Sequence, residues 1–156
     1  MNHTIEKHIE ARRLEPRPAR DQEVLGFWTK AVTALGDAMN PGSSLDNRLI
    51  RAYDAGRIAA FGLVRDAGYR TRGGEGHHYV TFDVARSVVT DPDLRRVLAE
   101  MDGLRKVRHS VEYEAHDDVD EPTVKEACRL AKQIIELGTK HLRERRPALD
   151  IPMLSR

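Results

Sequence analysis

Val124, Ala127, Cys128, Ala131, Ile134, Ile135, Gly138 and Leu142 recur at spacings of three and four, the period at which side chains of an α-helix share one face. The same period runs through Val24, Phe27, Trp28, Ala31, Val32, Leu35, Ala38 and Met39. It returns in Leu45, Leu49, Ala52, Tyr53, Gly56, Ala60, Leu63, Val64 and Ala67. The spacing predicts long helices over 22–39, 45–67 and 122–142. Ala52, Ala55, Gly56, Ala59, Ala60 and Gly62 make the middle helix narrow, so another helix can approach closely and a central place follows. No strand-like alternation and no internal repeat is visible.

Punctuation between the stripes completes an all-α reading with five helices. Asn40-Pro41-Gly42-Ser43 breaks the chain, and Ser44 is a suitable cap for the next helix. Gly68 closes that helix, and 70–76 reads as a loop. A third helix over 77–89 carries Val80, Val84, Ala85 and Val88. Asp91 caps a fourth, with Pro92 in its first turn, running through Leu94, Leu98, Met101 and Leu104 towards Tyr113. An acidic turn at 116–120 precedes the fifth, whose C-terminal end suits Arg143, Arg145 and Arg146 through the helix dipole. Residues 1–20 read as a polar extension ending in Pro16-Arg17-Pro18, in which Ile5 and Ile9 permit a short helix before Arg13. One bundle domain over 21–146 and a loose tail over 147–156 follow.

The 156 residues suffice for one domain with a real core. Aromatics make up only 5% against 40% hydrophobic residues, which suits helical faces built from Leu, Ala, Val and Ile. Lys and Arg number 26 against 25 acids, so a nucleic-acid partner would require positive charge concentrated locally. The single Cys128 excludes an internal disulfide, fits a reducing compartment and lies on an apolar face, where a thiol packs rather than reacts. No run approaches a membrane span, and the N-terminus lacks the apolar core of a secretory signal. A cytoplasmic location without membrane attachment is the expectation.

Two polar clusters stand out. Continuing the stripe of Leu94, Leu98 and Met101 at helical spacing reaches Arg105, Arg108, His109 and Glu112, while Leu104, Val107 and Val111 form an apolar face elsewhere. Either Gly103 kinks the helix or the polar residues point into a groove of the bundle. Two arginines and a histidine on adjacent turns can bind an anion such as phosphate. The plainer alternative is a solvated face with Arg108 and Glu112 paired four apart. The second cluster is Arg70, Arg72, Gly73, Gly74, Glu75, Gly76, His77 and His78, just before a helix start, where Arg72, His77 and His78 can hold phosphate. It lacks the Gly-Lys-Ser/Thr ending and preceding strand of a P-loop, and a dinucleotide fingerprint is excluded likewise, so no cofactor is expected. Its plainer reading is a flexible loop. His77, His78, His109, His116 and Asp117 offer no histidines four apart on one helix and no Cys pair, so no metal site is expected.

Arg105-Lys-Val-Arg108-His109-Ser-Val-Glu-Tyr113, followed by an acidic turn and an amphipathic helix, resembles the signature end of a HEPN domain, the higher eukaryotes and prokaryotes nucleotide-binding domain. That hallmark is an Arg, a polar residue and a His a few positions on, with Tyr replacing the His in a common bacterial variant. Arg108, His109 and Tyr113 match these positions, and Tyr53-Asp-Ala-Gly-Arg57 and Arg72-Gly-Gly-Glu-Gly-His-His78 also look like features of bacterial members. The resemblance covers about residues 44–142. It implies an antiparallel bundle of four or five helices, a homodimer with the motifs lining the cleft between subunits, and an RNA or nucleotide ligand. Many members are metal-independent ribonucleases of toxin, defence or CRISPR systems; others only bind RNA, nucleotides or a partner nucleotidyltransferase. By this resemblance Arg108 would hold the phosphate, with His109 and Tyr113 beside it and Arg105 adding charge. Tyrosine is a poor general base near neutrality, whereas histidine is a suitable one at a different place in the motif. Binding is thus implied more directly than cleavage, and a non-catalytic helical interaction module is the competing expectation.

Overall fold

The computed structural model describes residues 2–73, 77–113 and 119–151. Among them the architecture is all-α, a bundle of helices with one minimal antiparallel ribbon. Helix α1 (His3–Glu10) leads into strand β1 (Leu14–Pro16), followed by α2 (Asp21–Ala38) and α3 (Leu45–Asp66). Strand β2 (Tyr69–Thr71) precedes α4 (His77–Val88), α5 (Pro92–Gly103), α6 (Arg105–Tyr113) and α7 (Glu121–Arg145).

The long helices lie where their apolar period puts them, and their starts are capped by chain chemistry. Ser44 Oγ accepts the Asn47 amide at 3.2 Å, and Asp91 Oδ1 accepts that of Asp93 at 2.8 Å. Gly68, at φ 94°, turns the chain out of α3 in a conformation only glycine adopts cheaply. Helix α3 is central, packing on α2, α7 and α4 and touching α5 and α6. Its small residues make this crowding feasible: Ala52, Ala55, Gly56, Ala59, Ala60 and Gly62 are all buried.

Trp28 of α2 shows how tight the approach is. A Cβ on Gly62 would stand 3.2 Å from its ring, and one on Gly138 of α7 would stand 2.5 Å from it. The indole Nε1 donates to Thr139 Oγ1 at 2.9 Å, and that hydroxyl donates to the Ile135 carbonyl at 2.7 Å. One aromatic ring therefore fills the space left by two glycines and satisfies its only donor. Phe27, beside it, is half-buried and meets Phe61 edge-on at 4.8 Å.

Three sequence expectations are corrected. Residues 1–20 are not an extension: Ile5, His8 and Leu14 are buried, and Leu14 and Pro16 pair with Thr71 and Tyr69. The segment expected as a loop contributes the partner strand, because backbone hydrogen bonding, not side-chain alternation, holds strands this short. The fourth helix is no such correction, since the break beside Gly103 is one of the two arrangements the sequence allows: it divides into α5 and α6 where the chain turns at Leu104, whose carbonyl accepts the first amide bond of α6 from Arg108 at 2.9 Å. Of the tail, Leu149 and Ile151 are buried, with Arg143 donating to the Ile151 carbonyl at 2.6 Å; residues 152–156 lie outside the described ones. No helix among the described residues is long and apolar enough to cross a membrane.

The packing at Trp28 makes two substitutions informative. Trp28→Ala should cost about 3–5 kcal/mol. Gly138→Ala, which only adds a methyl group, should still cost about 1–3 kcal/mol by displacing the ring. Urea denaturation checks both, and a loss below about 0.5 kcal/mol for Gly138→Ala would contradict this contact.

Candidate functional site

The most concentrated polar chemistry lies where α3, α4 and α6 meet. Tyr53, Asp54 and Arg57 interrupt the apolar run of α3 within one turn, so they share the flank that faces the other two helices. The ring of Tyr53 is fully buried, and its hydroxyl stands 3.3 Å from His78 Nδ1 at the start of α4. His77 and His78 are neighbours there, their rings 5.7 Å apart.

Helix α6 brings two arginines to this place. The Arg108 guanidinium lies 5.7 Å from the Tyr53 ring centroid, with Nη2 3.7 Å from Asp54 Oδ1 and Nη1 paired to Glu112. Arg105, one turn earlier, lies 5.6 Å from the Tyr79 ring and 3.5 Å from Asp102 Oδ1. Arg57 Nη2 approaches Asp54 Oδ1 from α3 at 3.8 Å. These distances bring charges together without making good hydrogen bonds. Arg57 Nε, Arg108 Nε, Asp54 Oδ1, Asp102 Oδ1 and His77 Nδ1 are all buried without a hydrogen-bond partner. Buried polar atoms are normally satisfied, so their accumulation in one place asks for a cause.

Electrostatics fix the protonation states. Burial, reinforced by Arg57 and Arg108, pushes His78 down to about 4. Burial also lowers His77, against a hydrogen bond to the Arg72 backbone that works the other way. Burial, aided by the Asp102 charge, raises the Tyr53 hydroxyl, and burial raises Asp102 although Arg105 opposes it. At neutral pH the histidines are uncharged and the positive charge belongs to Arg57, Arg105 and Arg108. Among the described residues no group of three or more His, Cys, Asp or Glu could hold a metal ion.

The residues singled out from sequence are divided by this geometry. Arg105, Arg108, His77 and His78 come together. His109 and Tyr113 do not join them: both are exposed and contact each other, ring to ring, at 4.9 Å. A helix turns about 100° per residue, so Arg108 can face α3 only if His109 faces elsewhere. His109 instead borders a shallow surface depression with Arg105, Lys106 and Ser110. Arg72 is exposed, and its amide donates to the Arg13 carbonyl at 2.9 Å, extending the ribbon. Gly74, Glu75 and Gly76 of the expected phosphate loop, and His116 and Asp117, lie outside the described residues. Asp102 is not among the residues singled out from sequence, and Tyr53, Asp54 and Arg57 enter as site candidates only through the segment quoted for the family resemblance. The available signal was a Tyr-Asp-x-x-Arg unit set among the small and apolar residues in the middle of α3.

Comparison with protein-family models, with curated proteins and with solved structures finds no match for this chain.

The low position of His78 sets a pH response. An unfolded histidine takes its proton near pH 6.5, the folded one near 4, so the unfolded chain binds more protons in that interval. Stability should therefore fall as the pH drops from about 6.5 towards 4, with His77 and His141, also lowered by burial, acting in the same direction. Imidazole signals followed by NMR should place the His78 midpoint near 4, and a midpoint at 6 or above would contradict the environment described.

Proposed function

We propose that this protein is a HEPN-like RNA- or nucleotide-binding protein that grips phosphate with Arg57, Arg105 and Arg108, and that it works as a homodimer. One observation carries the reading: the Arg57 and Arg108 guanidiniums converge on Asp54 while Arg57 Nε and Arg108 Nε remain buried and unpartnered, and Arg105 lies one turn away beside Asp102. Arginine presents donors in a planar fork suited to phosphate oxygens, and neutral His77 and His78 add polar rims without competing charge. The chain has a net charge of only +1, so local concentration of charge, not overall basicity, is what such binding uses.

Binding is better supported than cleavage. A metal-independent ribonuclease of a toxin or defence system needs a general acid beside its base, and burial disfavours the protonated form of His77 and His78 that would supply it. His109 is the remaining histidine of the motif, and it faces away from the cluster, so cleavage would require a ligand long enough to reach around α6 or a second subunit. The competing reading, a non-catalytic interaction module, also has an observation in its favour. Arg108 is already paired with Asp54 and Glu112 and stacked on Tyr53, as a purely structural arginine would be.

Fluorescence anisotropy with a labelled single-stranded RNA separates the two. Arg108→Ala and Arg57→Ala should each weaken binding at least tenfold, since a charge-assisted hydrogen bond is worth about 1.5–3 kcal/mol, and affinity should fall steeply with salt. His109→Ala should leave binding nearly intact and abolish any turnover. If no variant alters RNA or nucleotide binding but Arg108→Ala lowers the melting temperature, the protein is an interaction module. Light scattering should give a dimer; a strict monomer over a wide concentration range would remove the composite cleft.

A further inference from the structure

The negative partner of the arginine cluster is as informative as the arginines. Asp54 is surrounded: Arg51 Nη1 lies 3.3 Å from Oδ2, and Arg57 Nη2 and Arg108 Nη2 lie 3.8 and 3.7 Å from Oδ1. Its side chain is only 13% exposed. Oδ1 nevertheless accepts no hydrogen bond, and the Nε donors of the two facing arginines are unused. Charge is thus compensated at this point while hydrogen-bonding capacity is not. A carboxylate that served only to lock two guanidiniums would meet them in the bidentate geometry that the pair favours. Without any anion between them, two half-buried guanidiniums from different helices would repel each other in a poorly screened setting.

We propose that Asp54 is the internal occupant of a phosphate seat formed by Arg57 and Arg108, and that its carboxylate decides which anions may enter. This inference rests on the phosphate-binding reading above. A phosphate has more acceptor oxygens than a carboxylate and spans a larger volume, so it can satisfy both Nε donors and both Nη groups where Asp54 satisfies neither fully. An entering ligand has to displace or share the seat with a fixed negative charge. Small free anions lose that competition, because they have nothing else to hold. A phosphate carried on a nucleoside or an RNA chain wins, because its sugar and base add contacts at the half-buried His77 and His78 rim. Asp54 is in this sense a specificity-determining residue, and its removal should make the site less selective.

The test compares wild type with Asp54→Asn, which keeps the shape and removes the charge, using inorganic phosphate as probe in titration calorimetry and thermal melting. Asp54→Asn should bind phosphate at least tenfold more tightly than wild type. Its melting temperature should be lowered in phosphate-free buffer and restored by phosphate, a rescue that a merely structural aspartate would not show. Asp37→Asn, which removes the exposed partner of Arg51, should behave as wild type in both measurements. Should Asp54→Asn fail to fold, the double variant Arg51→Gln/Asp54→Asn removes one positive charge with the negative one and leaves Arg57 and Arg108 for the same comparison. Equal or weaker phosphate binding by these variants overturns the inference, even where wild type binds RNA through Arg108. Tighter phosphate binding with no RNA or nucleotide binding by any form upholds the seat and refutes the wider function.

Discussion

The close approach of helices along α3 is the constraint on which the rest depends. Its alanines and glycines let Trp28 and Met101 press against it: a Cβ on Gly56 would stand 2.8 Å from the Met101 side chain. Such packing, at native density, fixes the distance between α3 and the α5 helix that leads into α6. Only then can the Arg108 guanidinium lie over the ring of Tyr53. The same helix that is featureless along one flank is the most densely functionalised along another, and the two properties are linked. A rigid, closely held α3 can carry Tyr53, Asp54 and Arg57 in a half-buried place where their charges act on one another strongly.

The charges around that place form a connected system. His8 Nε2 meets Asp83 at 2.7 Å, Arg86 joins Asp83 and Asp102, and Asp102 reaches Arg105. Polar contacts therefore run from the buried face of α1 through α4 and α5 to α6. The first twenty residues, which look dispensable by composition, hold one end of this chain. A second hub, Asp66, ties Arg145 and Arg146 of the C-terminal end to the end of α3, and Arg146 reaches Asp21 as well. Helix α1 is thus fastened by the half-buried Asp83 and the end of α7 by the buried Asp66, whose charge would be left uncompensated if its arginines were removed.

Much of the fold was legible because helical period and caps are local properties. The stripes of α2, α3 and α7, the cap at Ser44, the stop at Gly68 and the turn near Gly103 all follow from neighbouring residues. The ribbon of β1 with β2 was not legible, since three-residue strands with residues 17–68 between them carry no pattern of their own. The docking of Ile5, Leu14, Leu149 and Ile151 was equally hidden, because isolated apolar residues acquire a place only from the surface that receives them.

The candidate site divides in the same way. The sequence by itself determined that Arg105 and Arg108 lie one turn apart on a polar stripe and that His77 and His78 begin a helix. It also carried a likeness in which Arg108, His109 and Tyr113 act together. Only the tertiary structure decided that Arg108 turns inward to Tyr53 and Asp54 while His109 and Tyr113 remain outside with each other. It likewise decided that Arg57 belongs to the cluster and the Arg72 side chain does not. The reason is physical: periodicity assigns a residue to a face of its own helix, whereas the potential and hydrogen bonds it meets come from other helices, whose distance is set by packing.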